Sequence, residues 1–234
     1  MESISGTMKS GCPPPWLVSY TAVRTDGYVV LASLLLQSPS WEIMEILKNL
    51  HWQGALPAKM EHAFTALRQA CMSYRSAAVY EEYQRLFVGL GCGEIVPYAS
   101  WYKEKKIQSA ALAALRADLM KLGVVRQTDC HESEDHAGTL CETMALISRK
   151  QSGILYDEQA VFFHRHIVAW MTNFFQDIQK AGSAGFYRSV GFFGRIFLET
   201  ESEFLQCAIK NKKLTGEGER QNENNLFERP ADIH

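Results

Sequence analysis

The chain has 234 residues, of which 47% are hydrophobic and 21% charged, and its formal net charge at pH 7 is −2. These values are ordinary for a soluble globular protein, and the lack of a basic excess argues against a nucleic-acid-binding protein. No segment approaches 18 consecutive apolar residues, and the N-terminal segment lacks a signal-peptide apolar run, so neither a membrane span nor an export signal is expected. Six scattered cysteines without a Cys-x-x-Cys pair favour reduced thiols and a cytoplasmic location.

In the first half of the chain, apolar spacing predicts helices that glycine and proline separate. Residues 1–15 are rich in Ser, Gly and Pro and are expected to be flexible. A buried helix is predicted from Tyr20 to Leu36. Ser38-Pro39 is predicted to begin the next helix, because a hydroxyl caps helices and proline suits the first helical position. A long helix would follow unless it breaks near Ser76. The apolar positions of the later helices are Ile43, Ile46, Leu47 and Leu50, then Phe64, Leu67, Cys71, Tyr74 and Ala78, and finally Leu112, Leu115, Leu119 and Leu122.

A polar, irregular link at residues 124–134 predicts a hinge or exposed loop between two helical halves. After it, Asp135 is expected to start a helix and Asp157 to cap the next one. Gly191 and Gly194 lie three residues apart in the last helix and would allow close helix packing. The buried positions predicted for the last two helices are Phe163, Ile167, Trp170, Phe174 and Ile178, then Phe186, Val190, Phe193, Phe197 and Phe204.

The fold class is predicted to be all-α, because no segment alternates apolar and polar residues in the manner of a strand. We expect a single compact multi-helix domain over residues 16–210, whose halves meet near residues 124–134. Residues 211–234 are polar and too poor in apolar residues to fold alone, so they are predicted to be a disordered tail.

Residues 82–102 join an apolar helix end to an aromatic loop. Three apolar side chains share one helix face at i, i+3 and i+4. Glycines then end the helix, and a proline holds the following turn. The large side chains either pack into the core or form a groove for an apolar peptide. They are Tyr83, Leu86 and Phe87 on the helix, Pro97 in the turn, and Tyr98, Trp101 and Tyr102 in the aromatic part.

An acidic turn precedes the helix that is expected to start at Asp135. The Asp135 carboxylate suits an N-cap, where its charge also favours the helix dipole. Together with Glu132 and Glu134 it could receive guanidinium groups, which bind carboxylates bidentately. His136 would orient the turn or contact the bound peptide.

The same turn leaves a second class of function open, a small helical enzyme that depends on a metal or on Cys/His chemistry. Its cluster would be Cys130, Asp135 and His136. Ten residues lie between Cys130 and Cys141, whereas structural zinc sites have close Cys pairs, so no metal site is predicted. The glycines near residue 91 lack the Gly-Lys-Ser/Thr ending of a phosphate-binding loop.

Two ordered motifs resemble those of the TorD/DmsD family, the cytoplasmic chaperones that mature exported molybdenum-containing redox enzymes. The first motif matches at Glu82, Leu86, Phe87, Gly89, Pro97, Tyr98, Ser100 and Tyr102. The second is Glu132-Ser133-Glu134-Asp135-His136, followed by Glu142, although the family usually has a proline where Ser133 or its neighbour stands. A weaker third element is Gly185-Phe186-Tyr187.

The resemblance implies a non-enzymatic chaperone without a cofactor or metal. It would bind the twin-arginine signal peptide (leader) and the apo form of a molybdopterin-containing oxidoreductase, and so delay export until the cofactor is inserted. It also allows contacts with the molybdenum cofactor machinery, weak guanine-nucleotide binding, and a monomer or homodimer. The implied leader-binding residues are Tyr83, Leu86, Phe87, Pro97, Tyr98, Trp101, Glu134, Asp135 and His136.

Overall fold

Helices make up the regular structure of the computed structural model, which describes residues 15–89, 93–105, 110–125 and 132–215, with side chains as far as residue 210. Within these ranges there is no strand, which confirms the all-α prediction. No helix in the same ranges is both long and apolar enough to cross a membrane. Most of the predicted flexible N-terminus, hinge and tail lies outside the described residues.

Within residues 15–89 and 132–215 the helices follow one another with short connections. Two π-helical turns, Gln84–Val88 and His164–Val168, continue α4 and join α8 to α9, and Lys150–Ser152 forms a short 3-10 turn. The α-helices are α1 Pro15–Leu35, α2 Trp41–Asn49, α3 Ala58–Ser73, α4 Ser76–Tyr83, α5 Ala99–Glu104, α6 Ala110–Lys121, α7 Ala137–Ile147, α8 Tyr156–Phe163, α9 Ala169–Lys180 and α10 Phe186–Thr215.

The start of α2 differs from the prediction. Its N-cap is Ser40, whose hydroxyl accepts a hydrogen bond from Ile43 N at 3.4 Å, so the cap predicted at Ser38 is wrong. Only a residue directly before the first turn can place its hydroxyl near those amides, and Ser38 lies two residues too early. Ile46, predicted to be in the apolar stripe, is exposed, and Met44 is buried instead.

Two other helix boundaries depend on local capping. The single long helix is not formed, and the alternative of a break near Ser76 is the one present, because Tyr74 has extended backbone between α3 and α4. The cap predicted at Asp157 is wrong. The N-cap of α8 is Leu155, whose backbone N–H donates to the Glu158 carboxylate at 2.9 Å.

The core is built around α10, which packs against α9, α3, α8, α1 and α4, while α1 packs against α7. The halves on either side of the mid-chain link therefore share one core. All the residues predicted to be buried in the last two helices are buried. Gly194 allows the close approach of α9, since an added Cβ would lie 2.3 Å from the Phe175 ring. The helix continues to Thr215, past residue 210.

A buried ion pair joins α1, α8 and α10. The Arg24 guanidinium donates two hydrogen bonds to Glu201, one from Nε to Oε2 at 3.2 Å, and a third to Gln159 Oε1 at 2.8 Å. Arg24 is 1% exposed and Glu201 is fully buried. Burial acts to lower the pKa of Arg24, but the Glu201 carboxylate raises it, and the net pKa is above its ordinary value. The hydrophobic spacing of α1 gave no sign of this pair.

Candidate functional site

Two loops from distant parts of the sequence meet in a short antiparallel contact, here called the clasp (residues 97–100 with residues 132–137). The Ala99 N–H donates to the Asp135 carbonyl at 3.0 Å, and a second backbone hydrogen bond of 2.8 Å is donated by Ala137. The first and second motifs found in the sequence are thus one structural unit.

The Asp135 carboxylate holds the two loops of the clasp together. Its Oδ2 accepts a hydrogen bond from Ser100 N at 3.0 Å, and its Oδ1 accepts one from Ser133 Oγ at 2.6 Å. Ser100 N is one of the first amides of α5, which have no partner within the helix, so Asp135 caps α5 from across the clasp. The predicted role of Asp135 as N-cap of α7 is wrong. Asp135 is only 1% exposed. Direct contact between its carboxylate and a leader arginine stays a prediction.

The N-cap of α7 is His136. Its Nδ1 accepts a hydrogen bond from Gly138 N at 3.1 Å, which requires a ring without a proton on that nitrogen. Burial lowers the pKa of His136, against the opposing effect of Glu132 and Asp135, and so favours the neutral ring. The imidazole also packs edge-to-face on Tyr98, with ring centroids 5.1 Å apart. His136 is therefore a buried, structural part of the clasp.

The two glutamates of the acidic turn make contacts within the protein. Tyr98 Oη donates to Glu132 Oε2 at 2.8 Å. Arg116 on α6 donates to both oxygens of Glu134, at 3.0 and 2.9 Å, in the bidentate geometry that was expected for a leader arginine. The turn thus binds guanidinium as its composition predicts, and in this structure the guanidinium is the protein's own.

The predicted apolar site residues up to Pro97 belong to the core. Leu86 is fully buried, Pro97 is buried, and Tyr83 donates its hydroxyl to the Leu35 carbonyl at 3.2 Å. Phe87 is half-buried and packs against Tyr83 with ring centroids 5.1 Å apart. Of the two interpretations of this helix face, packing into the core is the one that the structure supports.

Glu82 links the first motif to the third. Its carboxylate accepts hydrogen bonds from three backbone amides at the start of α10, Gly185, Phe186 and Tyr187, at 2.8, 2.9 and 2.7 Å. Helices leave their first amides without internal partners, and a carboxylate there also favours the helix dipole. Sequence spacing could not connect residues about a hundred positions apart, and only the family resemblance singled out both.

The exposed part of this region lies on α5 and beside it. Trp101 is 36% exposed, and Tyr98 is half-buried. Next to Trp101 is a groove of about 380 Å³, lined by residues 93–96, Trp101, Tyr102, Lys105 and Asp177. Trp101 was predicted as a site residue. Asp177 was missed, since it comes from α9 and nothing in its local sequence marks it.

The groups proposed for an enzymatic site are not assembled in the described part of the chain. Cys130 lies outside the described residues. Cys141 is fully buried in α7, and burial raises the pKa of its thiol. Within the ranges that the structure describes, no three His, Cys, Asp or Glu side chains are placed to hold a metal ion.

The capping role of Asp135 predicts how much each of its substitutions lowers the free energy of unfolding. Asp135→Ala should lower the free energy of unfolding by about 2–3 kcal/mol, because the buried Ser100 N–H loses its acceptor. Asp135→Asn should cost only about 1 kcal/mol, since the amide oxygen still accepts from Ser100. Urea denaturation measures both. Asp157→Ala, an exposed carboxylate on α8, is the control, and an Asp135→Ala loss no larger than the control's would contradict the capping role.

One of the protein-family models that were compared with the chain matches it. The family model described as nitrate reductase delta subunit matches residues 53–176, a stretch that covers more than half of the chain and contains the whole clasp. No curated protein matches the chain.

Proposed function

Because the chain belongs to the nitrate reductase delta subunit family, a family of molybdoenzyme maturation chaperones, we propose that it binds the twin-arginine leader and the apo form of a molybdopterin-containing oxidoreductase. The family match agrees with the resemblance to TorD/DmsD chaperones that the two motifs predicted. In this proposal the protein acts in the cytoplasm and retains its client until the cofactor is inserted. Binding alone does this, and no covalent step is needed.

The observation that carries the proposal is the exposed aromatic surface that the clasp presents. A leader has an apolar segment that must leave water, and aromatic side chains on a rigid support suit such a partner. Tyr98 is fixed by its hydrogen bond to Glu132 and by the His136 ring. Trp101 follows one turn later on α5 and is the more exposed of the two rings. Asp135, through its hydrogen bond from Ser100 N, and His136, through its contact with Tyr98, then hold this surface in place.

The proposal predicts that Trp101→Ala weakens leader binding about tenfold or more, as is usual for an aromatic anchor at an interface. The stability of the fold should change little, because Trp101 is partly exposed. The measurement is fluorescence anisotropy with labelled leader peptides of the molybdoenzymes encoded in the same genome.

Trp41→Ala is the matched control, since Trp41 is 62% exposed on α2, and it should leave leader affinity unchanged. Phe87→Ala should instead lower stability, with little effect on affinity per folded molecule. Capture from cells expressing candidate precursors would identify the client. If no precursor or leader binds the wild-type chain, the proposed function is wrong.

A further inference from the structure

The carboxylates of the acidic turn are engaged inside the protein. Asp135 is buried with both oxygens accepting hydrogen bonds, and Glu134 receives a bidentate pair from Arg116. A guanidinium from outside would have to displace one of these partners. The other carboxylates near the exposed aromatic surface are Glu94 and Asp177, which line the groove beside Trp101.

The groove beside Trp101 already holds a cation over aromatic rings. The Lys105 ammonium lies 5.6 Å from the Trp101 ring centroid and 5.7 Å from that of Tyr102, within the range of a cation–π interaction. Lys105 has φ of 55°, a left-handed conformation that side chains with a Cβ seldom adopt. The backbone turn that ends α5 thus brings this side chain back over the two rings. The two rings therefore form a cation-binding surface. The cation that now occupies it is Lys105 of the same chain, whose side chain is exposed to solvent.

A carboxylate stands at the same groove. Asp177 Oδ2 accepts a hydrogen bond from Tyr102 Oη at 2.8 Å, and the described residues provide no hydrogen-bond donor to Oδ1. Glu94 lies in the groove lining as well, held by the backbone amides of Gly182 and Ser183 at 2.6 and 3.2 Å. The groove lining therefore contains two carboxylates and one ammonium, and this excess of negative charge favours a cationic ligand.

We propose that this groove binds a guanidinium group and that its occupant is an arginine side chain of the leader, which displaces Lys105. This rests on the proposed function. Arginine suits the site better than lysine, because its planar group can stack on Trp101 while it donates to the Asp177 carboxylate. The volume of about 380 Å³ is within the range of small-ligand sites. The leader's apolar segment would then continue over Trp101 toward Tyr98.

The first test compares wild type with Asp177→Asn, using one leader peptide in an Arg-Arg form and a Gln-Gln form. Asparagine retains the acceptor for Tyr102 but removes the charge. We expect affinity for the Arg-Arg form to fall about tenfold, with little change for the Gln-Gln form. Asp157→Asn makes the same chemical change outside the groove and should have no effect on either peptide. Melting temperatures show whether the variants are folded.

The second test is Lys105→Ala, which removes the internal competitor. It should tighten binding of the Arg-Arg form about two- to fivefold. Unchanged or weaker binding in Lys105→Ala overturns the assignment of the groove, as does an Asp177→Asn loss that is equal for the two peptides. In either case the proposed function stands while the leader still binds. If no leader binds the wild type, both proposals are wrong.

Discussion

Replacing Arg24 with alanine is expected to lower the free energy of unfolding by about 3–5 kcal/mol. The substitution leaves Glu201, which is fully buried, without its cation, and it also removes the donor to Gln159. An unpaired charge in a low-dielectric interior loses its solvation without compensation, so the cost exceeds that of a surface ion pair. Denaturant unfolding followed by circular dichroism measures the loss.

Two further variants show whether the loss comes from the buried charge. The double substitution Arg24→Met with Glu201→Leu removes both charges and should recover most of the stability, as buried pairs replaced by apolar residues often do. Arg195→Ala is the matched control, because its pair with Glu199 on α10 is partly exposed and should contribute under about 1 kcal/mol. Equal losses in Arg24→Ala and Arg195→Ala would show that the buried pair has no special role.

Glu82→Ala should lower the free energy of unfolding by about 3–4 kcal/mol. Three amides at the start of α10 lose their acceptor, and hydrogen bonds to a charged group contribute about 1.5–3 kcal/mol each without being additive. The first turn of α10, which lies at the centre of the core, should fray. Amide hydrogen exchange would detect this as faster exchange at Gly185, Phe186 and Tyr187.

The neighbouring glutamate provides the control for this experiment. The Glu81 side chain is 71% exposed and lies 3.9 Å from Arg85, so Glu81→Ala should change stability by less than about 0.5 kcal/mol. Glu82→Gln should be intermediate, since the amide keeps one acceptor oxygen but loses the charge. If amide exchange in α10 is unchanged in Glu82→Ala, the carboxylate does not hold that helix end.

The fold follows from local apolar spacing where one helix face is buried throughout. The buried positions of α9 and α10 are regular in sequence, and the periodicity therefore predicted them. Caps were harder to predict, because several nearby residues have suitable side chains and only the path of the chain selects one. Ser40 rather than Ser38 at α2 is such a case. The burial of a charged residue inside an apolar helix, such as Arg24, depends on a partner from another part of the chain, so the local sequence could not predict it.

The candidate site was predictable only as far as its sequence motifs reach. The clasp loops and Trp101 were named from the sequence, yet their roles depend on hydrogen bonds between residues far apart. Asp135 meets Ser100 across 35 positions, and Tyr102 meets Asp177 across 75. Local rules describe what a carboxylate can do to its own helix, and they assigned Asp135 to α7. The tertiary contact assigns it to α5, and no pattern within either segment contains that information.

The position of α1 in the core affects how the protein folds while it is being synthesised on the ribosome. Its main neighbours are α7 and α10, and the partner of Arg24 lies 177 residues further along the chain. At about 5–20 residues per second, on the order of 10–35 s pass before that partner has been translated. For this time the nascent α1 carries an arginine without its partner, and its apolar surface stays uncovered at least until α7 has been translated. The yield of the protein in cells should therefore respond to the folding factors that bind nascent chains, and to the rate of translation between α1 and α10.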